Sequence, residues 1–200
     1  MDTGRKAALL RLLAEKSFRT SETRLSAGAT SDYYIDCRTT TLTAEGGRLT
    51  GLLILDLLRE KQLSPHAVGG LTLGADPVIS NVVAASAWLA AGTPGATLID
   101  GFLVRKEQKV HGAGRRIEGF CEPDAPVVIV DDACTSGASI VTAICAAREA
   151  GMCIIGVVCL VEREEANGRF AVEGAVQGAP FHHIFSASEV RETYLSLREK

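Results

Sequence analysis

The chain lacks an apolar run long enough to cross a bilayer. Its longest, around Cys153–Val161, is about half of what a membrane-spanning helix needs. The opening Met1-Asp-Thr-Gly-Arg-Lys6 has neither the apolar core nor the small-residue cleavage site of a secretory leader. An excess of positive charge is also missing. Twenty-one Lys and Arg stand against 24 Asp and Glu, a net charge of −3, which argues against the basic domain of a nucleic-acid binder. No cysteine pair is spaced C-x-x-C, and the clustered Cys/His spacing of a zinc site is absent. His182 and His183 would face opposite sides of a strand, a poor start for a shared metal. Repeats, low-complexity tracts and linkers are missing too. The expectation is a soluble, cytoplasmic chain with neither membrane nor nucleic acid as partner.

What is present is an ordinary globular composition, 46% apolar and 22% charged over 200 residues, which excludes disorder and suits one domain. Cysteines in apolar runs, such as Cys145 and Cys159, read as small core residues of a reduced compartment. Ala7–Lys16 is predicted as an amphipathic helix and Ser31–Arg38 as extended. Thr43 is a candidate N-cap for a long Leu-rich helix ending before Pro65. Strand and helix then alternate: a strand over Ala67–Gly70, a helix around Pro77–Ala91, a strand over Ala96–Val104. The second half repeats this with a strand over Val127–Val130, a helix around Ala138–Ala150 and strands over Ile154–Val161 and Phe181–Phe185. Ser186-x-x-Glu189 is a capping box opening a last helix. His66 reads as a loop or strand-entry residue. Apolar strands alternating with helices imply an α/β fold with a mainly parallel central sheet flanked by helices, whose ligand lies beyond the strands' carboxyl ends.

The segment Val127-Val-Ile-Val-Asp131-Asp132-Ala-Cys-Thr-Ser-Gly-Ala-Ser139 carries the most chemistry. Two adjacent carboxylates at the end of a central strand repel each other, so they need hydroxyl donors, a cation or solvent. The turn after them is small and hydroxyl-rich and leads into a helix, presenting backbone N–H groups at the positive end of its dipole. Acids for ribose hydroxyls beside a nest for phosphate make a sugar-phosphate site. A plain helix start capped by Thr135 or Ser136, with the acids favouring the dipole, reads the same residues equally well.

Arg105–Arg116 holds five cations and one acid, net +4 with His111 neutral, which leaves the remaining residues at −7. With two glycines and no apolar period it is predicted to be a mobile, solvent-facing loop. Such charge near a phosphate cradle could neutralise a departing phosphate group, and His111 stands where proton donation would be useful. By itself the run also reads as a solvated loop.

From Val127 to Ser139 the segment resembles the phosphoribosyl-pyrophosphate (PRPP) signature of the type I phosphoribosyltransferases: an apolar strand, two acids, two mostly apolar residues, then Thr-x-Gly and small residues. It departs in Asp131, a shorter arm where Glu is usual, and in Ala138, where Gly or Thr is common. Arg105-Lys106-Glu-x-Lys109-x-His111-Gly112, followed by Ile117-Glu118-Gly119, is similar to the catalytic loop of the family's orotate branch. Leu25-Ser-Ala-Gly28-x-x-Ser31-x-Tyr33-Tyr34-Ile35-Asp36-x-Arg38 resembles a further stretch of that branch, with Ala27 for the usual Ser. Gly69–Pro77 looks like its pyrophosphate-contacting turn, and Leu160-Val-Glu-Arg163 like its late strand end. The resemblance covers roughly residues 17–165.

The resemblance implies one domain over 1–200, with a small N-terminal hood to about residue 40 and a PRPP-binding core over about 65–165. It implies that Asp131 and Asp132 hold the ribose hydroxyls, and that Thr135, Ser136, Gly137, Ala138 and Ser139 cradle the 5′-phosphate, with Ala133 and Cys134 also at PRPP. Leu73, Gly74, Arg105, Lys106, Lys109 and His111 would meet the pyrophosphate. Lys106, Lys109, His111 and Asp132 are the catalytic candidates. Tyr34, Ile35, Thr135 and Arg163 would hold orotate, Arg163 at its carboxylate. The implied reaction joins orotate to PRPP, giving orotidine 5′-monophosphate and pyrophosphate on the way to UMP. Mg²⁺ would be held through pyrophosphate and water rather than directly by protein ligands. A homodimer sharing the 105–116 loop between subunits is implied as well. Two rivals remain: a phosphoribosyltransferase for another nucleobase, which competing bases would reveal, and a non-catalytic PRPP-sensing regulator, which would carry a basic nucleic-acid-binding region.

Overall fold

In the computed structural model the described residues are 1–24, 30–92, 98–107 and 116–199. Helix α1 (Thr3–Lys16) precedes a two-stranded antiparallel sheet, β1 (Phe18–Arg24) with β2 (Thr30–Ile35). A short helix α2 (Arg38–Thr41) leads into α3 (Ala44–Glu60). The Thr43 side chain accepts from the Gly46 N–H, so the sequence's N-cap is the one the chain uses.

The main sheet has six strands in the order β5-β4-β3-β6-β7-β8: β3 (Ala67–Leu71), β4 (Asp100–Val104), β5 (Ile117–Gly119), β6 (Pro126–Cys134), β7 (Cys153–Glu162) and β8 (Phe181–Ser186). All neighbours are parallel except β4 and β5. Alternation along the central strands fills two cores. Val128, Val130, Val158 and Leu160 pack with α1, α3, α4 (Ala75–Ala91) and α7 (Ala187–Arg198). Val127, Ile129, Val157 and Cys159 pack on the other face with α5 (Ala138–Glu149) and α6 (Gly168–Val176). The capping box at Ser186 and Glu189 is complete.

The α/β class and mainly parallel sheet expected from sequence are therefore what the chain adopts. Boundaries differ in instructive ways. β4 begins at Asp100, just after Ile99, whose N–H is bonded to the Ser86 hydroxyl of α4; residues 96 and 97 of the expected strand lie outside the described residues. β6 runs on past Val130 to Cys134, so both acids lie within the strand. Among the described residues no helix is long and apolar enough to cross a membrane.

The connections position the site. From β3 the chain passes through α4 to β4 on one side, and from β6 through α5 to β7 on the other. The two parallel neighbours β3 and β6 thus feed crossovers in opposite directions, which opens a crevice at their carboxyl ends. Their pairing ends at Gly69 with Ile129, while β6 stays paired to β7 as far as Cys134 with Glu162.

Candidate active site

The crevice is a cavity of about 390 Å³ lined by Leu71–Gly74, Asp131–Ala133, Ser139, Lys106 and Arg38. Asp131 is 4% exposed and accepts a hydrogen bond from the Asp132 N–H at 3.0 Å. Burial first, then the neighbouring Asp132 charge, pushes its carboxyl well above the usual range. Burial raises Asp132 as well, opposed by the Ala133 N–H and by Arg38. Arg38 is itself gripped by Asp36 through two bonds of 2.9 and 3.0 Å. A hydroxyl donor or a cation arriving here would relieve a destabilised acid pair. Gly74 brings the opposite wall against that pair: a Cβ at this position would lie 2.4 Å from Asp132 Oδ1. The peptide between Thr72 and Leu73 is cis.

Thr135, Ser136 and Gly137 join β6 to α5. Gly137 sits at the helix start with φ +76°, and a Cβ there would meet the Gly168 carbonyl at 2.7 Å, so glycine is demanded twice over. The N-cap position itself is Gly137, which makes no side-chain cap. Of the two capping candidates, Ser136 accepts one long, exposed hydrogen bond from the Ala138 N–H at 3.4 Å. A helix start left this way is suited to an anion. The Cys134 side chain is 1% exposed and turned into the core, where burial lifts its thiol to about 12, and its carbonyl accepts from the Arg163 N–H. Cys134 therefore brings backbone rather than thiolate to this turn.

The basic segment connects β4 to β5. Arg105 closes its stem: its N–H bonds to the Arg116 carbonyl at 2.9 Å and its guanidinium to Glu118 at 3.0 Å. Lys106 is the next residue and lines the cavity. Lys109 and His111 lie outside the described residues, as does the Leu25–Ala29 part of the N-terminal motif.

On β2, Tyr34 is 41% exposed while Tyr33 and Ile35 point inward. Arg163 is 5% exposed at the end of β7, stacked 4.3 Å from the Tyr33 ring and bonded to Glu165. It is set against β2 rather than in the cavity of the acid pair. The sequence reading leaves Arg38 unassigned although the residue closes a quoted motif. Its spacing after Asp36 was the available signal, since a bidentate pair holds a cation in place.

No family model matches the chain. Individual relatives do. Over 185 residues it is 38% identical to the orotate phosphoribosyltransferase of Streptomyces avermitilis, covering 92% of this chain and 96% of that one. The chain belongs to the orotate phosphoribosyltransferases. The enzyme of that name from Aquifex aeolicus is also 38% identical, with 91% and 95% covered. Among solved structures, the orotate phosphoribosyltransferase of Mycobacterium tuberculosis in complex with PRPP superposes with a TM-score of 0.72 at 30% identity, over 94% of this chain and 99% of that one. The enzyme class expected from the PRPP signature and the orotate-type loop is the family's own.

Proposed function

We propose that the chain transfers the phosphoribosyl group of PRPP to a ring nitrogen of orotate, releasing pyrophosphate and orotidine 5′-monophosphate for pyrimidine nucleotide synthesis. One observation carries the reading: the acid pair, Ser139 in the first turn of α5 and Lys106 all line one cavity at the β3–β6 crevice. In this reading Asp131 and Asp132 accept from the ribose hydroxyls. The Thr135–Ser139 turn receives the 5′-phosphate, with Ala133 and the Cys134 backbone behind it. Leu73 and Gly74 lie along the pyrophosphate.

As the bond from C1′ to pyrophosphate breaks, positive charge develops on the sugar and negative charge on the leaving group. Catalysis is then charge stabilisation and positioning. Lys106, Lys109 and His111 grip the pyrophosphate, and Arg105 joins them by exchanging Glu118 for it. Tyr34, Ile35 and Thr135 hold the pyrimidine ring and Arg163 its carboxylate.

Among the described residues no three His, Cys, Asp or Glu side chains form a metal cluster. The chemistry of the site suits Mg²⁺ carried on the pyrophosphate, with water and at most the acid pair beside it. When bound, the ion would neutralise charge on the leaving pyrophosphate. The hood up to about residue 40 would cover the base, and a homodimer would share the 105–116 loop between subunits. Free thiols at all six cysteines suit the cytoplasm. The test of base choice is competition: with PRPP, Mg²⁺ and equal orotate, uracil and adenine, orotate is the base consumed. Consumption of uracil or adenine instead would overturn the assignment.

A further inference from the structure

Arg163 already holds a carboxylate, and it comes from its own chain. Glu165 places Oε1 3.0 Å from Arg163 Nη2 and 3.2 Å from Nε, and the Tyr33 hydroxyl donates to the same oxygen. The two partners differ in freedom. Arg163 is buried, stacked on the Tyr33 ring, donates from Nε to the Tyr33 oxygen at 3.2 Å, and is pinned through its backbone to Cys134. Glu165 has its side chain 50% exposed. It stands on a 3-10 turn, Glu164–Ala166, that is held independently: Ser188 donates to Glu164 at 2.8 Å, and the Ala166 N–H bonds to the Arg163 carbonyl at 3.0 Å. Glu165 can therefore swing into water by side-chain rotation while the turn and Arg163 stay where they are.

A buried guanidinium offers a planar, bidentate surface for which one carboxylate competes with another. Resting on the reading of Arg163 as the partner of the orotate carboxylate, we propose that Glu165 is an internal competitor: it occupies that subsite until the substrate's carboxylate displaces it, and so lowers the apparent affinity for orotate. A half-exposed ion pair contributes up to about 1 kcal/mol, so displacing it weakens binding by about two- to fivefold. The effect is confined to ligands that bring a carboxylate of their own.

The test compares two nucleotides that differ in that group alone, orotidine 5′-monophosphate and uridine 5′-monophosphate, titrated calorimetrically into the wild type and Glu165→Gln. The amide keeps the shape and a hydrogen-bond acceptor but removes the charge. The expected result is orotidine monophosphate binding about two- to fivefold tighter in the variant, with uridine monophosphate unchanged. Three results would overturn the inference: unchanged binding of orotidine monophosphate, weaker binding of it, or both nucleotides shifting together, which a merely structural Glu165 would produce. Turnover of orotate by the wild type is measured alongside. If it is present, any of those results removes the role of Glu165 alone; if it is absent, the parent assignment falls too.

Discussion

Asp131 is buried next to another carboxylate, and both effects hold the proton on it well past the usual range. Between the unfolded value, about 3.9, and the raised folded one, the native protein binds protons that the unfolded chain has lost. Stability from this pair is therefore fully present below the unfolded value and is lost as pH rises through the folded one, leaving the ligand-free protein penalised at neutral pH. Asp131→Asn keeps an oxygen for the Asp132 N–H and discards the charge. Its Tm at neutral pH is expected to rise by roughly 2–4 °C for each kcal/mol relieved, and its kcat/KM with PRPP to fall about tenfold or more through loss of a charged acceptor. Scanning calorimetry and steady-state kinetics check the two halves. A lower Tm with unchanged kinetics would make the residue purely structural.

At the scale of elements, the β4–β5 hairpin divides two tasks between neighbouring residues. Arg105 ties the stem through Glu118 while Lys106 turns to the cavity, so the rest of the basic segment starts from a fixed base. Lys109→Ala is expected to cut turnover severely, on the order of 10²-fold or more if one charge on the leaving group is lost, with Tm unchanged. Near wild-type turnover would remove Lys109 from the catalytic loop. Elements were legible in the sequence where residue type dictates local geometry. Thr43 and the Ser186–Glu189 box mark helix starts by their own hydrogen bonds, and four apolar residues before two acids mark a buried strand, though not its end, since β6 runs on to Cys134. β1 was not legible, because Arg19–Arg24 is polar throughout and becomes a strand only by pairing with β2. α6 opens on glycine and is nine residues long, and β5 has only three. The stacking of Arg163 on Tyr33 and the place of Arg38 near Asp132 depend on tertiary neighbours that local spacing does not encode.

Across the whole molecule, the charge divides as the topology does. An acidic body of −7 carries a basic segment of +4 between β4 and β5, and Lys106 of that segment lines the β3–β6 crevice. That distribution suits a small polyanion that is gripped and released rather than an extended nucleic-acid backbone. If the segment serves a neighbouring subunit, a dimer can combine an intact loop from one chain with an intact acid pair from the other. Mixing inactive Lys109→Ala with inactive Asp132→Asn and allowing subunit exchange is then expected to restore part of the activity, while no recovery would place the loop over its own subunit's site. The most direct measurement is the ultraviolet absorbance of orotate followed with purified protein, with PRPP and Mg²⁺ each present or omitted. Loss of orotate that requires both, matched by equal orotidine 5′-monophosphate and pyrophosphate, is the expected result. Orotate left intact in the complete mixture would contradict it.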